Sequence, residues 1–480
     1  MEPAAGGPAA SGPAASGPAA TGPAGDPGRA IPDWVQALLD RLRAEGAAAY
    51  VVGGSLRDIL LDRLPLDWDL TTSARPEAIQ ALFRESTYEN AFGTVAVRVP
   101  NGEVVQITTF RSDHDYADFR RPHRVEFGDT VEDDLARRDF TMNAIAWGSK
   151  PGEAAGLVDP FGGQADIGDR LLRAVGDPAT RFGEDALRML RAVRLAAVLG
   201  FRIDQRTLDA IGPSAGLAAH LSGERVSAEF LKLLDAPRPS VGLRLAEETG
   251  LLDVLAPVLA EQRGVAQNKL PGEDLWDHTV RSVDAAASAG RSTRVRLATL
   301  LHDIGKPATA ADGHFYRHET VGAGLAADLL RRWHAPRVLT DEVTHLVAQH
   351  MFNYDDAWSD GAVRRFIVKI GRDALDDLFA LREADNIGSG QPGDAGGLTE
   401  LRSRVAAQLA ANVALDRSGL AIDGDVLIAK LELTPGPLVG RLLERLVERV
   451  VMDPGLNDPE SLLELAREMQ RSMPARTEDG

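Results

Sequence analysis

The chain has 480 residues, 44% hydrophobic and 26% charged, with a net charge of −18. That length exceeds the ~250–300 residues at which one core stops growing, so three or four units are expected. The composition excludes a wholly disordered or fibrous chain, no apolar stretch approaches the ~18 residues of a membrane span, and the acidic balance excludes indiscriminate binding to anionic polymers.

There is no cysteine, which excludes disulfides and thiol catalysis. The first residues lack the basic start and apolar run of a secretory signal, and a cytoplasmic address is the expectation.

Residues 1–30 are nearly all Ala, Gly, Pro and Ser, with SGPAA at 11–15 and again at 16–20. Such a segment has nothing to bury and reads as a disordered tail. Residues 31–175 alternate helix and strand signals. Trp34, Leu38, Leu39 and Leu42 predict an amphipathic helix ending at Gly46. AAAYVV (47–52) predicts a buried strand, Gly53-Gly54 a tight turn, SLRDILLDR a helix, and DWDLTT (67–72) a short strand. PEAIQALF (76–83) opens with a proline at a helix start. TVAVRV and EVVQITTF flank Pro100-Asn101-Gly102, a hairpin signal.

After about residue 175 strand signals vanish, and an all-helical remainder is expected. Gly/Pro loops divide it into 176–265, 266–390 and 391–480. Counting His220, eight of the ten histidines lie in or near 278–385.

Three constellations carry chemistry. Asp67 and Asp69 flank Trp68 on the predicted strand, so alternation would point both carboxylates to one face. Adjacent like charges repel unless a cation lies between them, and such pairs share Mg²⁺ with triphosphates. Gly53-Gly54, a dozen residues upstream, lets backbone approach a phosphate. In the second, Asp185 and Arg188 lie three apart on a helical pattern, with Glu184 adjacent. A carboxylate acceptor beside a guanidinium donor suits the amine and ring nitrogen of cytosine and adenine, and leaves groups unpaired against guanine and uracil. Arg181, Arg188, Arg191 and Arg194 give this stretch a basic face suited to RNA phosphates, while Arg202 and Arg206 read as a solvated face. In the third, HDIGK (302–306) follows an apolar run, with His278 one helix earlier and Asp385 later. Imidazoles and carboxylates from several helices can close around a divalent metal, and nitrogen-rich sets favour Mn²⁺, Ni²⁺, Co²⁺ or Fe²⁺ over Mg²⁺.

GGSLRD (53–58), DWDL (67–70), FGTVAV (92–97), TTFR (108–111), YADFRRP (116–122), DLARRDFTMNAIA (134–146), DPFGG (159–163) and RFGEDALRMLRAVRLAAVLGF (181–201) follow in order. This series resembles the tRNA nucleotidyltransferase/poly(A) polymerase family in its bacterial and eukaryotic class. The segment 275–390 resembles the HD phosphohydrolases, which occur fused to some bacterial members of the first family. The resemblance implies an α+β chain: a polymerase-β-like nucleotidyltransferase head (31–175), an all-helical neck (176–265), an HD domain (266–390) and a helical tail (391–480).

It further implies template-independent CCA addition to tRNA from CTP and ATP, with Asp67 and Asp69 catalytic and holding Mg²⁺. Nucleotide contacts would come from Gly53, Gly54, Arg57, Arg138, Asp139, Glu184, Asp185, Arg188 and Arg191, and RNA contacts from Arg191 and Arg194. The HD metal ligands would be His278, His302, Asp303 and Asp385, with His318 and His350 where two-metal members place more. His345 and His350, five apart, diverge by roughly 140° on a helix and would not both serve. A metal-dependent phosphohydrolase activity, on substrates such as 2′,3′-cyclic phosphates, is the expectation there. One departure stands out: the family usually carries a third carboxylate where this chain has Gln106. Glu103 cannot replace it, since an odd offset faces the other side of a strand. The alternatives are a poly(A) polymerase, an HD phosphohydrolase with a degenerate head, and a non-enzymatic RNA-binding scaffold.

Overall fold

The structure, a computed structural model, describes residues 26–472 apart from 89–92, 101, 117–121, 129, 268 and 412. The repeat-rich tail up to residue 25, the tip of the predicted hairpin at Asn101, Phe92, and most of the 116–122 loop therefore lie outside the described residues. The described chain forms two compact units, one of residues up to 196 with 200–220, the other of 197–199 with the chain from 221. The division falls inside the stretch 176–265.

The first unit is built on a seven-stranded sheet. Its strands are β1 (Ala49–Val52), β2 (Asp69–Thr72), β3 (Ser86–Tyr88), β4 (Thr94–Arg98) and β5 (Val104–Thr109). After them come β6 (Arg111–Tyr116) and β7 (Pro122–Phe127), which pair as a separate hairpin, and then β8 (Ala146–Ser149) and β9 (Gly156–Val158). The sheet order is β3-β4-β5-β2-β1-β8-β9. All neighbours are antiparallel except β2 and β5, which run parallel.

AYVV forms β1 because it is β-branched and aromatic, and every residue of it is buried between its two neighbours. The helix Asp33–Ala44 buries Val35, Leu38, Leu39 and Leu42, the face that its periodicity predicts, with Trp34 half-buried against Trp68. Tyr50, Val52, Phe110, Val131, Leu135 and Ala146 form one core cluster of the unit. The β4–β5 hairpin closes with Val99 N donating to Glu103 O at 2.9 Å, and Gly102 takes φ +90°. Pro27–Ala30, inside the stretch 1–30 read as a tail, forms a 3₁₀ turn capped by Asp26.

The second unit is mainly helical, and two short strand pairs, one in each unit, depart from the all-helical expectation after residue 175. Leu171–Leu172 pairs in parallel with Arg202–Ile203 in the first unit, and Ala310–Ala311 pairs with His314–Phe315 in the second. Two-residue strands are too short to leave a period, so no pattern marks them. Within the second unit, helix Leu275–Ser288, opened by an Asp274/Asp277 capping box, packs on helices Thr293–Leu301 and Leu375–Gly388. Helices Gly424–Leu431, Pro437–Met452 and Pro459–Ser472 close around Leu427, Leu442, Leu446 and Leu462. No helix among the described residues is long and apolar enough to cross a membrane.

Candidate active site

At the end of β1 the chain turns through Gly53, whose φ of +74° favours glycine. A Cβ there would lie 2.9 Å from Arg138 Nη1 and 3.7 Å from Asp69 Oδ2. Gly53, Arg138 and Asp69 thus converge on one spot, where the central strands β1 and β2 end and start beside a turn without a side chain. The helix that follows, Gly54–Leu60, has only seven residues, so positive charge at this turn comes from guanidinium groups. Burial raises the pKa of Asp69; Arg138 opposes this, and the charge of Asp67 adds to it.

One expectation needs correcting. The strand begins at Asp69, and Asp67 lies in the bend before it, exposed. The exposed stretch Leu64–Leu66 keeps the chain off the sheet until Trp68 is buried. The two carboxylates still act on each other electrically, but strand alternation is not what joins them. Two oxygen ligands under mutual repulsion suit a hard divalent cation. Gln106, exposed on β5, is the direct register partner of Asp69.

Behind these strand ends runs a polar chain. Asp134 is fully buried, and its Oδ1 accepts from Arg137 Nη2 at 2.7 Å while Oδ2 accepts from Arg138 Nη2 at 3.1 Å. Asp139 accepts from the Phe140 N–H, from Asn143 Nδ2 at 3.0 Å and from Arg191 Nε at 2.8 Å. Burial would raise its pKa, but Arg191, Asn143 and Arg188 together hold it far below the usual carboxylate range. Arg57 Nη1 donates to Asn143 Oδ1 at 3.0 Å and its other nitrogens bind Asp58. Asp139 and Arg57 are therefore spent on fixing the site's frame. Arg191 is bound to Asp139, and Arg194 is half-buried one turn further on.

The second constellation is also rearranged. The helical pattern breaks: Pro178–Glu184 ends at Asp185, which is extended, and a second helix runs Leu187–Leu199. Asp185 Oδ1 accepts the Leu187 N–H at 3.0 Å, an Asx-type bond that competes with a continuous helix. Arg188 stands in the first turn of the second helix, its N–H donating to the Asp185 carbonyl at 3.0 Å. Its Nη1 pairs with Glu184 Oε2 at 2.5 Å, and its Nη2 donates to the carbonyl of Arg137 at 2.7 Å. Glu184 also holds Arg181 at 2.7 Å.

In the second unit, five helices bring six side chains together. His278 Nε2 is 3.2 Å from His302 Nε2, 3.4 Å from Asp303 Oδ2 and 3.3 Å from Asp385 Oδ1. On the other side, Asp303 Oδ1 is 3.2 Å from His318 Nε2 and 3.6 Å from His350 Nε2. Two triads share Asp303: His278, His302, Asp303 and Asp303, His318, His350, all buried. His345 turns elsewhere, its Nε2 donating to the Ile370 carbonyl at 2.7 Å.

The donor set fits a cation. His302, His318 and His350 each turn Nδ1 to a backbone carbonyl, of Thr299, Phe315 and Val347. A carbonyl only accepts, so each Nδ1 carries a proton and each Nε2 offers its lone pair inward. His318 Nε2 and His350 Nε2 face each other at 3.3 Å, which requires a proton or a metal among them. Burial disfavours charge on His302, yet Asp303 and Asp385 raise its pKa to about 9.

Sequence reasoning missed Asp134, Asn143, Lys306 and Lys269. Asp134 lies three and four residues before the paired arginines, a readable helical ion-pair spacing. Lys306 closes the HDIGK motif, three residues after Asp303, and its Nζ lies 2.5 Å from Asp303 Oδ2. Lys269 Nζ sits 3.3 Å from Asp385 Oδ1, and no local signal marks it.

The fold and the first site define a nucleotidyltransferase-type head, followed by a histidine–aspartate helical unit. Family models agree: "Poly A polymerase head domain" matches residues 49–173, "Probable RNA and SrmB- binding site of polymerase A" 200–263, and "HD domain" 275–388. Over these spans the chain resembles the tRNA nucleotidyltransferase/poly(A) polymerase family, with an HD domain following. It is 46% identical over 232 residues to the CCA-adding enzyme of Geobacillus sp. (strain WCH70), covering 48% of this chain and 56% of the relative. With that of Listeria monocytogenes it shares 41% over 255 residues, 53% of this chain and 62% of the relative. The chain thus spans little more than half the length of the curated relatives it matches.

Among solved structures, the Bacillus stearothermophilus CCA-adding enzyme in complex with CTP matches at TM-score 0.64 and 29% identity, covering 92% of this chain and 97% of that one. The Thermotoga maritima CCA-adding enzyme complexed with tRNA matches at TM-score 0.56 and 20% identity, over 92% and 96%; that likeness concerns the fold.

Proposed function

We propose that the head adds C and A to the 3′ end of tRNA lacking its CCA terminus, taking them from CTP and ATP. The observation that carries this reading is the convergence of Asp69, Arg138 and the side-chain-free turn at Gly53, with Asp67 alongside. The terminal 3′ oxygen bonds to the α-phosphorus, the bond from that phosphorus to the bridging oxygen breaks, and pyrophosphate leaves. Asp67 and Asp69 would hold Mg²⁺, which when bound neutralises phosphate charge and acidifies the attacking hydroxyl. Gly53 leaves the room a triphosphate needs, and Arg138, held by Asp134, presents its guanidinium there. Arg188, clamped by Glu184 and the Arg137 carbonyl, keeps a fixed orientation for reading a base edge beside Asp185. The relatives' shared name favours CCA addition over poly(A) synthesis.

The test is incubation of tRNA lacking its CCA end with each labelled nucleoside triphosphate separately, followed by sequencing of the extension. Incorporation limited to CTP and ATP, lost at least 100-fold in Asp67→Ala, is expected. A long run of A alone would identify a poly(A) polymerase instead.

A second reading concerns the HD unit, and the six converging ligands favour it. They would hold one or two divalent transition metals and support hydrolysis of a phosphoester, with bound metal supplying charge neutralisation and an acidified water. Lys306 and Lys269 hold the carboxylates in place and add positive charge for the phosphate.

A further inference from the structure

A carboxylate shut away from water is costly unless each oxygen is paired. Asp134, in the helix Val131–Ala136, is 0% exposed, and its two oxygens are divided between two ends of the head's site. Burial would raise its pKa, but Arg137 and Arg138 together hold it below the ordinary carboxylate value, so the group is charged at neutral pH.

One oxygen serves the base-reading end. Oδ1 accepts twice from Arg137, from Nε at 3.1 Å and from Nη2 at 2.7 Å, which fixes that guanidinium at two points. The main-chain carbonyl of the same residue accepts from Arg188 Nη2 at 2.7 Å. Arg137 is thus a link: Asp134 fixes its side chain, and its backbone fixes the arginine beside Asp185.

The other oxygen serves the triphosphate end. Oδ2 accepts from Arg138 Nη2 at 3.1 Å, while Arg138 Nη1 lies 2.9 Å from where a Cβ on Gly53 would stand. Arg138 Nε is buried and has no hydrogen-bond partner among the described residues. The bond to Asp134 is therefore what sets how this guanidinium is turned toward Gly53. Oδ2 also accepts from Thr71 Oγ1 at 3.3 Å. Thr71 lies two residues after Asp69 on β2, on the same face by alternation. A helical ion pair needs only one arginine three or four residues away; here both are used, and each makes a second contact toward the site.

We propose that Asp134 is a positioning residue for nucleotide selection, coupling the triphosphate end of the site, through Arg138, to the base-reading end, through the Arg137 carbonyl and Arg188. It touches no substrate atom itself. The inference rests on reading the head as a transferase of C and A, and it adds that one buried carboxylate sets both ends.

The test is incorporation of CTP and of UTP, each alone, into tRNA lacking its CCA end, with KM and kcat/KM measured for both. A misfolded fraction lowers kcat for both nucleotides alike and cancels in the CTP:UTP ratio of kcat/KM. That ratio and KM therefore report positioning and not folding. Asp134→Asn keeps the shape and removes the charge. It should raise the KM for CTP and lower the CTP:UTP ratio, each at least about fivefold. Arg138→Ala removes the triphosphate arm and should raise KM for both nucleotides while keeping the ratio. Arg137→Gln removes the base arm and should lower the ratio. This second pair retains Asp134 and decides the matter if Asp134→Asn does not fold. A wild-type ratio in Asp134→Asn or in Arg137→Gln overturns the inference, as does a ratio that falls equally in Arg138→Ala. A wild type that prefers CTP beside such variants leaves the reading of the head standing. A wild type that incorporates neither nucleotide removes that reading and this inference with it.

Discussion

Gln106 stands beside Asp69 as its register partner where β5 runs parallel to β2. Partners in register point to the same face, so position 106 is where a third carboxylate would reach a cation held by Asp69. A neutral amide leaves that face one charge less negative, with Arg138 acting against Asp69 from the Gly53 side. Gln106→Glu is expected to lower the Mg²⁺ concentration for half-maximal nucleotide incorporation, on the order of tenfold. Mg²⁺ titration of CTP incorporation measures it. An unchanged midpoint and rate would mean that this chain needs no third carboxylate.

Asp185 and Arg188 are held by different partners, yet the hypothesis gives them one base edge to read. Asp185→Ala should weaken use of CTP and ATP together, because one acceptor serves both exocyclic amines. Leaving the base amine unpaired costs about 1–3 kcal/mol, or roughly 5- to 150-fold in kcat/KM. Discrimination against UTP and GTP should fall as well. Glu184→Gln releases Arg188 from its clamp without touching the base and should give a milder loss of the same kind. Single-nucleotide incorporation with all four triphosphates decides it, and a loss confined to CTP or to ATP would assign the two bases to different residues.

The parts of this molecule that were legible in the sequence are those set by period and by ordered motifs. AYVV, the Leu38–Leu42 helix and the β4–β5 hairpin announce themselves through burial pattern and turn residues. The candidate ligands His278, His302, Asp303 and Asp385 could be named because HDIGK with an earlier His and a later Asp resembles the HD phosphohydrolases, and the fold brings those four side chains together. What stayed hidden depends on backbone detail. Asp185 breaks a helix that its neighbours' periodicity predicts, because its own carboxylate captures the Leu187 N–H. Asp67 falls outside the strand that its alternation suggests. Asp134 has a readable ion-pair spacing to Arg137 and Arg138, but only the fold shows it buried.

Asp139 makes acid stability a readout of the head's frame. Its folded-state pKa is depressed by Arg191, Asn143 and Arg188 against the opposing effect of burial. A depressed carboxylate contributes stability that is present above its unfolded pKa, ~3.9, and is lost as pH falls through the folded value. Asp139→Asn should destabilise the protein at pH 7 by about 2–3 kcal/mol, less than a fully buried pair because Arg191 is a third exposed. The variant should also lose less of its remaining stability than the wild type between pH 4 and pH 2.5. Denaturant midpoints at those pH values and at neutrality check both. Parallel pH dependence in the two proteins would show that Asp139 is not the group whose protonation matters.

Asp303 divides its oxygens between two ligand sets, Oδ2 toward His278 and His302, Oδ1 toward His318 and His350. Removing it should therefore empty both positions, whereas His350→Ala should empty only the one on the Oδ1 side. Imidazole-rich sets select Mn²⁺, Ni²⁺, Co²⁺ or Fe²⁺ over Mg²⁺, so the wild type should retain up to two transition-metal ions per chain after dialysis. His350→Ala should retain one, and His302→Ala with Asp303→Ala none. The double variant also strands Lys306, 7% exposed, without its carboxylate. A cost of about 3–5 kcal/mol is expected there, which is why the single His350→Ala is the cleaner comparison. Phosphoester hydrolysis should follow metal content, and it should survive Asp67→Ala, which leaves the HD ligands in place. CCA addition should behave the opposite way: lost in Asp67→Ala, retained in His350→Ala. Elemental analysis together with both assays on the same preparations settles the division of labour. If the wild type retains no transition metal and hydrolyses no phosphoester, the cluster is a buried polar core whose protons, with His302 charged up to about pH 9, do the work assigned to metal.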